Sequence, residues 1–159
     1  MTLTIRPAVA GDEAAILQMV KDLALYEREP DAVKATEASI RDTMFAPGAQ
    51  VFAFIADSDG APVGLALWFI TYSTWTGRPS LYLEDLFVAE SARGQGVARA
   101  LLQRLATEAK ARNCARIDWA VLDWNEKAMQ FYRHIGANPQ VGWQPWRIEG
   151  DALARLADG

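Results

Sequence analysis

The chain has 159 residues, a net charge of −4 and 51% hydrophobic residues, a composition typical of one globular domain over residues 1–159. It has neither an apolar run for a membrane span, nor a signal-peptide pattern, nor a basic run suited to nucleic acid. One cysteine and one histidine exclude an internal disulfide and a His-rich metal site, so we expect a cytoplasmic protein without a metal.

The hydrophobic pattern of the first half predicts strands and helices in alternation. Alternation of apolar and polar residues indicates strands, and apolar residues three and four apart indicate helices. In chain order, we predict a strand at 2–6, a helix from an N-cap at Asp12 to Glu29-Pro30, a shorter helix at 36–45, and strands at 51–56 and 63–72.

The second half continues this alternation. We predict a strand at 82–88, a glycine turn, a long helix to Asn113, a strand at 116–122, a helix from Asn125 to Ile135 closed by Gly136, a strand at 142–148 and a helical turn at 151–156. Helices interleaved with hairpins indicate an α/β (α+β) fold.

The turn Ser91-Ala92-Arg93-Gly94-Gln95-Gly96-Val97-Ala98 lies between the strand at 82–88 and the long helix. Two glycines allow a sharp turn and close approach of a ligand to the backbone. Unpaired N–H groups at a helix N-terminus attract phosphate, so the turn is a candidate pyrophosphate cradle. The alternative is an ordinary strand–turn–helix connection.

The glycine turn and four other short sequence strings carry a resemblance to a known family. The turn Arg93-x-x-Gly96-x-Ala98 resembles the acetyl-CoA loop of the GNAT acyltransferases. Nearly the whole chain resembles the diamine acetyltransferase branch of this family. Within that branch it resembles the thialysine enzymes more than the spermidine/spermine enzymes. The other strings that carry this are Tyr72-Ser73-Thr74-Trp75, Tyr82-Leu83-Glu84-Asp85, Val121-Leu122-Asp123-Trp124-Asn125 and Phe131-Tyr132.

The resemblance implies a mixed, twisted sheet that splays after the strand at 82–88, with flanking helices. It implies direct transfer of an acetyl group from acetyl-CoA to a primary amine, and a homodimer, for which we expect contacts through residues 143–148. The implied cofactor-binding residues are Leu86, Phe87, Val88, Arg93, Gly94, Gln95, Gly96, Val97, Ala98, Arg99, Asn125 and Lys127.

Two residues are candidates for catalysis. Tyr132 matches the family position that faces the sulfur, where a phenol is a general acid; the alternative is a core tyrosine. Glu84 and Asp85 lie on one strand, whose alternation points them to opposite faces. The resemblance selects Glu84 to bind an ammonium group and take its proton; the alternative is a salt bridge at a sheet edge.

The implied acceptor-binding residues are Tyr26, Glu27, Trp75 and Glu84. Tyr26 and Glu27 are also consistent with a solvated helix end, Trp75 with packing, and Asn125 with a helix cap alone. The chain has Ser73 and a short segment, 138–143, where the spermidine enzymes carry acidic residues. We therefore expect a short amine rather than a long polyamine.

Two other functions fit the same motifs. One is acetylation of a protein lysine or N-terminus, which needs an open groove for a peptide. The other is a non-catalytic module that binds acyl-CoA without turnover, because a fold does not guarantee an activity.

Overall fold

The computed structural model describes all 159 residues, which form two compact units, residues 1–120 and residues 121–159. The first unit contains β1 (Leu3–Pro7), α1 (Glu13–Tyr26), α2 (Glu37–Ile40) with a π-helical turn (Arg41–Phe45), β2 (Val51–Ser58), β3 (Ala61–Ser73), β4 (Arg78–Val88), a 3₁₀ turn (Glu90–Ala92), α3 (Val97–Ala111) and β5 (Ile117–Asp118). The second contains α4 (Glu126–His134) and α5 (Gly150–Ala157).

The sheet has the order β1-β2-β3-β4-β5. The first four strands pair antiparallel, and β5 pairs parallel with β4 through Leu81↔Ile117 and Tyr82↔Asp118. Beyond Tyr82, β4 has no strand on that side, so the mixed sheet opens there. The predicted fold class and the splay are therefore confirmed.

Apolar side chains cover both faces of the sheet. On one face, Ile16 of α1 packs with Ile55 and Leu65 of the central strands. On the other, α3 lies so close to β3 that a Cβ on Gly64 would be 3.0 Å from Val97 Cγ1 and 3.2 Å from Leu101 Cδ1. Burial of each such aliphatic side chain contributes about 1.5–3 kcal/mol, so the core fixes the ends of β4 and α3.

Helix α1 begins directly after Asp12, as predicted, but it differs from the prediction in the role of the Asp12 side chain and in where the helix ends. Asp12 precedes it, but its carboxylate accepts from Val9 N and from the Arg6 guanidinium instead of capping the helix. The Arg6 hydrogen bond holds the pKa of Asp12 below its usual value. The helix ends at Tyr26, before Glu29-Pro30, because Arg28 adopts the left-handed conformation (φ 67°) and closes the last turn.

Two predicted strands are shortened or missing. The strand at 116–122 contains only Ile117–Asp118, and residues 142–148 form no strand. Pro145 cannot donate to a ladder, and no strand of the second unit is present to pair with this segment. The prediction for 142–148 was wrong because strand formation depends on a partner.

Helix α4 was predicted correctly. Asn125 Oδ1 accepts from Ala128 N at 3.3 Å and caps the helix. Gly136, at φ 95°, closes its other end. No helix of the chain combines the length and the apolar character required to cross a membrane.

Candidate active site

The turn between β4 and α3 presents its backbone outward. Gly94 and Gly96 both have positive φ, 76° and 81°, which brings successive amides round to the start of α3. None of the N–H groups of residues 94–99 makes a short, well-aligned hydrogen bond to an acceptor within the chain. A Cβ on either glycine would meet nothing within 4 Å. The turn is therefore an open set of donors at the positive end of a helix dipole.

Internal bonds and packing hold this turn in place. Arg93 Nε donates to Val88 O at 3.2 Å, and Gln95 Nε2 donates to Ser91 O at 3.0 Å. Val97 is buried and anchors the first turn of α3, while Arg99 is exposed. Phe87 belongs to the core, so its side chain is not available to a ligand.

The adjacent strand contains a β-bulge at Glu84. Leu83 pairs with Trp68 and Asp85 pairs with Leu67, which leaves Glu84 without an opposite residue. A bulge redirects side chains and interrupts the strict alternation of a strand. Glu84 is exposed at the bulge, beside the region where the sheet opens.

The pKa of Asp85 lies well above its ordinary value. Burial, and then the charges of Glu84 and Glu27, raise its pKa to about 6. Burial also raises the pKa of Glu27. We call Glu27, Glu84 and Asp85 the acid cluster. No group of three or more His, Cys, Asp or Glu in the chain is arranged to hold a metal ion. The negative charge of these carboxylates suits a cationic group.

The family resemblance selects Glu84 as the functional acid and implies no role for Asp85. The signal for Asp85 was present, because two consecutive acids in an otherwise apolar strand are costly to bury without a purpose. The different exposure of Glu84 and Asp85 could not be predicted from the sequence, because the bulge is a property of the pairing between β3 and β4. A buried carboxyl with a pKa near neutrality is a common feature of active sites.

The end of α1 joins this region to the glycine turn. Glu27 contributes its charge to the acid cluster. The preceding residue, Tyr26, lies under the Arg93 guanidinium, whose Cζ is 5.0 Å from the ring centroid. The structure therefore brings together four predicted site residues, Tyr26, Glu27, Glu84 and Arg93, from three separate elements.

Trp75 is not part of this group. It lies at the tip of the β3–β4 hairpin with 87% of its surface exposed. The six residue-to-residue steps of β4 from Arg78 to Glu84 correspond to about 20 Å of strand. Its predicted contact with the acceptor therefore has no support from the geometry of the first unit.

The remaining predicted residues belong to α4 in the second unit. The Asn125 side chain caps the helix, and Lys127 is exposed in its first turn. Tyr132 is half-buried, and its ring centroid is 5.7 Å from that of Phe131. Contacts of these three residues with a cofactor or substrate stay predictions.

Comparison with known proteins identifies the family. The model of the acetyltransferase (GNAT) family matches residues 16–137. The chain is 37% identical to thialysine N-epsilon-acetyltransferase of Sus scrofa over 98% of both chains, and 37% identical to that of Bos taurus over 96% of both. An integron cassette protein from the V. cholerae metagenome has a TM-score of 0.83 and 28% identity, with coverage of 100% of this chain and 99% of that one.

These matches agree with the geometry of the glycine turn. GNAT acetyltransferases use acetyl-CoA as their co-substrate, and an open row of amides at a helix N-terminus suits its pyrophosphate. The family match covers the first unit from α1 onward and all of α4. The chain therefore belongs to the GNAT family of acetyltransferases and is an N-acetyltransferase.

Proposed function

We propose that this protein transfers the acetyl group of acetyl-CoA to a primary amine of a small, thialysine-like molecule. The observation that carries the proposal is the acid cluster beside the glycine turn. One end of the first unit thus has donors for a polyanion, and next to them it has carboxylates for a cation.

The residues present fit acetyl-CoA. The amides of residues 94–99 and the Arg93 guanidinium would hold its pyrophosphate, and the open space over Gly94 and Gly96 admits it without a clash. The unpaired edge of β4 at Leu86 and Val88 offers backbone groups to the pantetheine arm. When bound, acetyl-CoA supplies a thioester that is already activated, so no covalent nucleophile is required of the protein.

The acid cluster binds the acceptor amine and removes a proton from it. Its carboxylates bind the acceptor as an ammonium ion and orient its nitrogen. Asp85, whose pKa of about 6 leaves it largely ionised at neutral pH, takes a proton from the ammonium ion and returns it to water. The nitrogen thereby gains a free electron pair for the new N–C bond. The second N–H proton leaves as that bond forms.

Tyr132 is the proposed donor of a proton to the sulfur when the C–S bond breaks. The basis is the match of Phe131-Tyr132 to the family motif, together with the chemistry of a phenol, which is neutral and carries its proton at pH 7. The tyrosinate then recovers a proton, so one proton is released to solvent for each ammonium acetylated.

The proposed acceptor is short. Relatives at 37% identity are named for thialysine, a lysine analogue whose short side chain contains a thioether and ends in a primary amine. Ser73, which replaces an acidic residue of the spermidine enzymes, is buried, and its hydroxyl accepts from Thr76 N at 3.3 Å. It therefore serves the hairpin turn and offers no charge to a distal ammonium.

An assay of free thiol release from acetyl-CoA tests the proposal directly. The panel contains thialysine, lysine, diaminopropane, spermine and an unacetylated peptide, with the reaction lacking amine as control. We expect turnover with the short amines. Turnover with the peptide alone would indicate a protein acetyltransferase, and binding of acetyl-CoA without any turnover would indicate a non-catalytic module; either result contradicts the proposal.

We also propose a homodimer. Large apolar residues of the second unit are exposed, among them Trp146 at 90% and Val141 at 89%, and exposed apolar patches are typical of interfaces. Light scattering at micromolar concentration should give twice the monomer mass, and Trp146→Ser should shift it toward the monomer. A monomeric unmodified protein would refute the dimer. The cytoplasmic location and the lack of a nucleic-acid partner stay predictions.

A further inference from the structure

The contact between Arg93 and Tyr26 connects two sites that are otherwise separate in sequence. Arg93 belongs to the glycine turn, and its Nε donates to Val88 O at 3.2 Å. Its guanidinium lies over the Tyr26 ring at 5.0 Å from the centroid. A guanidinium is planar, so its face can stack on a ring while its edge still donates to oxygen acceptors.

Tyr26 and Glu27 belong to one hydrogen-bonded segment, because backbone hydrogen bonds close the end of α1. Glu29 N donates to Ala24 O at 2.9 Å and Arg28 N to Leu25 O at 3.1 Å, the pair of bonds that defines a Schellman motif. Arg28 occupies the left-handed position, with φ 67°. Glu27 N also donates to Leu23 O at 2.8 Å. A contact made by the Tyr26 ring therefore acts on the same hydrogen-bonded segment that carries Glu27.

Glu27 in turn is electrostatically linked to the acid cluster. Its charge is one of the causes that raise the pKa of Asp85. The Arg93–Tyr26 contact thus joins the glycine turn to the end of α1, and the charge of Glu27 at that end acts on Asp85 of β4.

We infer that the Arg93–Tyr26 contact couples occupancy of the glycine turn to binding of the acceptor amine, with Tyr26 as a positioning residue. The inference rests on the proposed function. A phosphate at the edge of the Arg93 guanidinium fixes its plane, which fixes the Tyr26 ring and hence Glu27. Cofactor and acceptor then favour the same arrangement of the α1 end, and the coupling is reciprocal.

Calorimetric titration of thialysine measures this coupling. The unmodified protein is titrated alone and when saturated with CoA, which lacks the acetyl group and permits no turnover. The ratio of the two dissociation constants is the coupling. We expect tighter binding with CoA by about two- to fivefold, the ratio that one exposed cation–π contact supports.

Substitutions at Tyr26 identify the contact responsible. Tyr26→Leu removes the ring face and should bring the ratio to about one, whereas Tyr26→Phe retains the face and the ratio. Leu25→Ala is the matched control, because the adjacent side chain is 66% exposed and belongs to neither site. Circular dichroism verifies that each variant is folded.

Arg93→Lys provides a second test, since lysine retains the charge for a phosphate but lacks the planar face. The ratio should fall with this variant, and combining it with Tyr26→Leu should cause no further fall. The inference fails if Tyr26→Leu keeps the original ratio, or if the Leu and Phe variants lower it equally. An unmodified protein that binds both ligands with a ratio of one overturns the inference alone, while one that binds neither overturns the proposed function too.

Discussion

The glycine turn and the acid cluster illustrate two ways of building a site. All parts of the turn lie within residues 93–99 and follow from local backbone conformation, with left-handed glycines and the first turn of a helix. The acid cluster combines Glu27 from α1 with Glu84 and Asp85 from β4, and it depends on a bulge and on a helix end. Substitutions in the glycine turn should change the affinity for the cofactor. Substitutions in the acid cluster should change the pH dependence and the kinetics of the acceptor.

The largest expected effect comes from a substitution outside the glycine turn and the acid cluster. It distinguishes the chemical step from binding of the cofactor. Tyr132→Phe should lower kcat by about 10²–10⁴-fold, the usual contribution of a general acid, with little change in the KM for acetyl-CoA. Tyr72→Phe, an exposed tyrosine of β3, is the control and should leave kcat unchanged. Near-normal turnover of the Tyr132 variant in steady-state assays would return Tyr132 to a structural role.

The glycine turn is tested by a matched pair of glycines. Gly96 (φ 81°) and Gly60 (φ 84°) have nearly the same conformation, and neither has an atom within 4 Å of an added Cβ. Alanine at either position should destabilise the fold by about 1–2 kcal/mol through left-handed strain.

Only Gly96→Ala should also raise the KM for acetyl-CoA, by about tenfold or more, because the added methyl group occupies the space of the pyrophosphate. Urea unfolding and steady-state kinetics distinguish the two effects. An equal rise in KM for both variants would mean that strain alone, and not the cradle, is responsible.

The acid cluster is tested by pH. If Asp85 must be ionised, kcat/KM for the amine should rise with pH through about pH 6. The Asp85→Asn variant should lose this rise of kcat/KM with pH, and its kcat/KM at pH 8 should be about 10–100-fold lower. Asp42 is an exposed acid of the π-helical turn, and the Asp42→Asn variant should keep both the rise with pH and the kcat/KM. If the rise of kcat/KM with pH is unchanged in the Asp85 variant, the titration of another group causes it.

The same variant has an expected effect on stability. A carboxyl whose pKa is raised by folding binds its proton more tightly in the native state, so this group destabilises the fold above about pH 6 and ceases to do so below about pH 4. Asp85→Asn should therefore raise the free energy of unfolding at pH 8 by up to about 3 kcal/mol. Urea titrations should show this gain shrinking as the pH falls toward 4.

The smallest expected difference concerns the length of the acceptor. Spermine should show no advantage in kcat/KM over thialysine or diaminopropane, because Ser73 caps a turn and residues 138–141 contain no acidic side chain. The comparison is made at fixed pH and acetyl-CoA concentration. A clear preference for spermine would show that other residues supply charge to a distal ammonium.

Sequence by itself determined the parts of the protein that depend on neighbours along the chain. The strand, glycine turn and helix around residues 82–111 were predictable because apolar periodicity and glycine conformation are local properties. The cap of α4 by Asn125 followed for the same reason. These local patterns, together with the family resemblance, were sufficient to predict the fold class and the N-acetyltransferase activity.

Tertiary structure decided the features that depend on pairing across the chain. The bulge that exposes Glu84 and leaves Asp85 half-buried is a register shift between β3 and β4, and no single strand encodes a register. The end of α1 at Tyr26 required Arg28 to adopt a left-handed conformation that the sequence does not favour. Residues 142–148 lack a strand because a strand requires a partner, and a partner is supplied by the fold rather than by the segment.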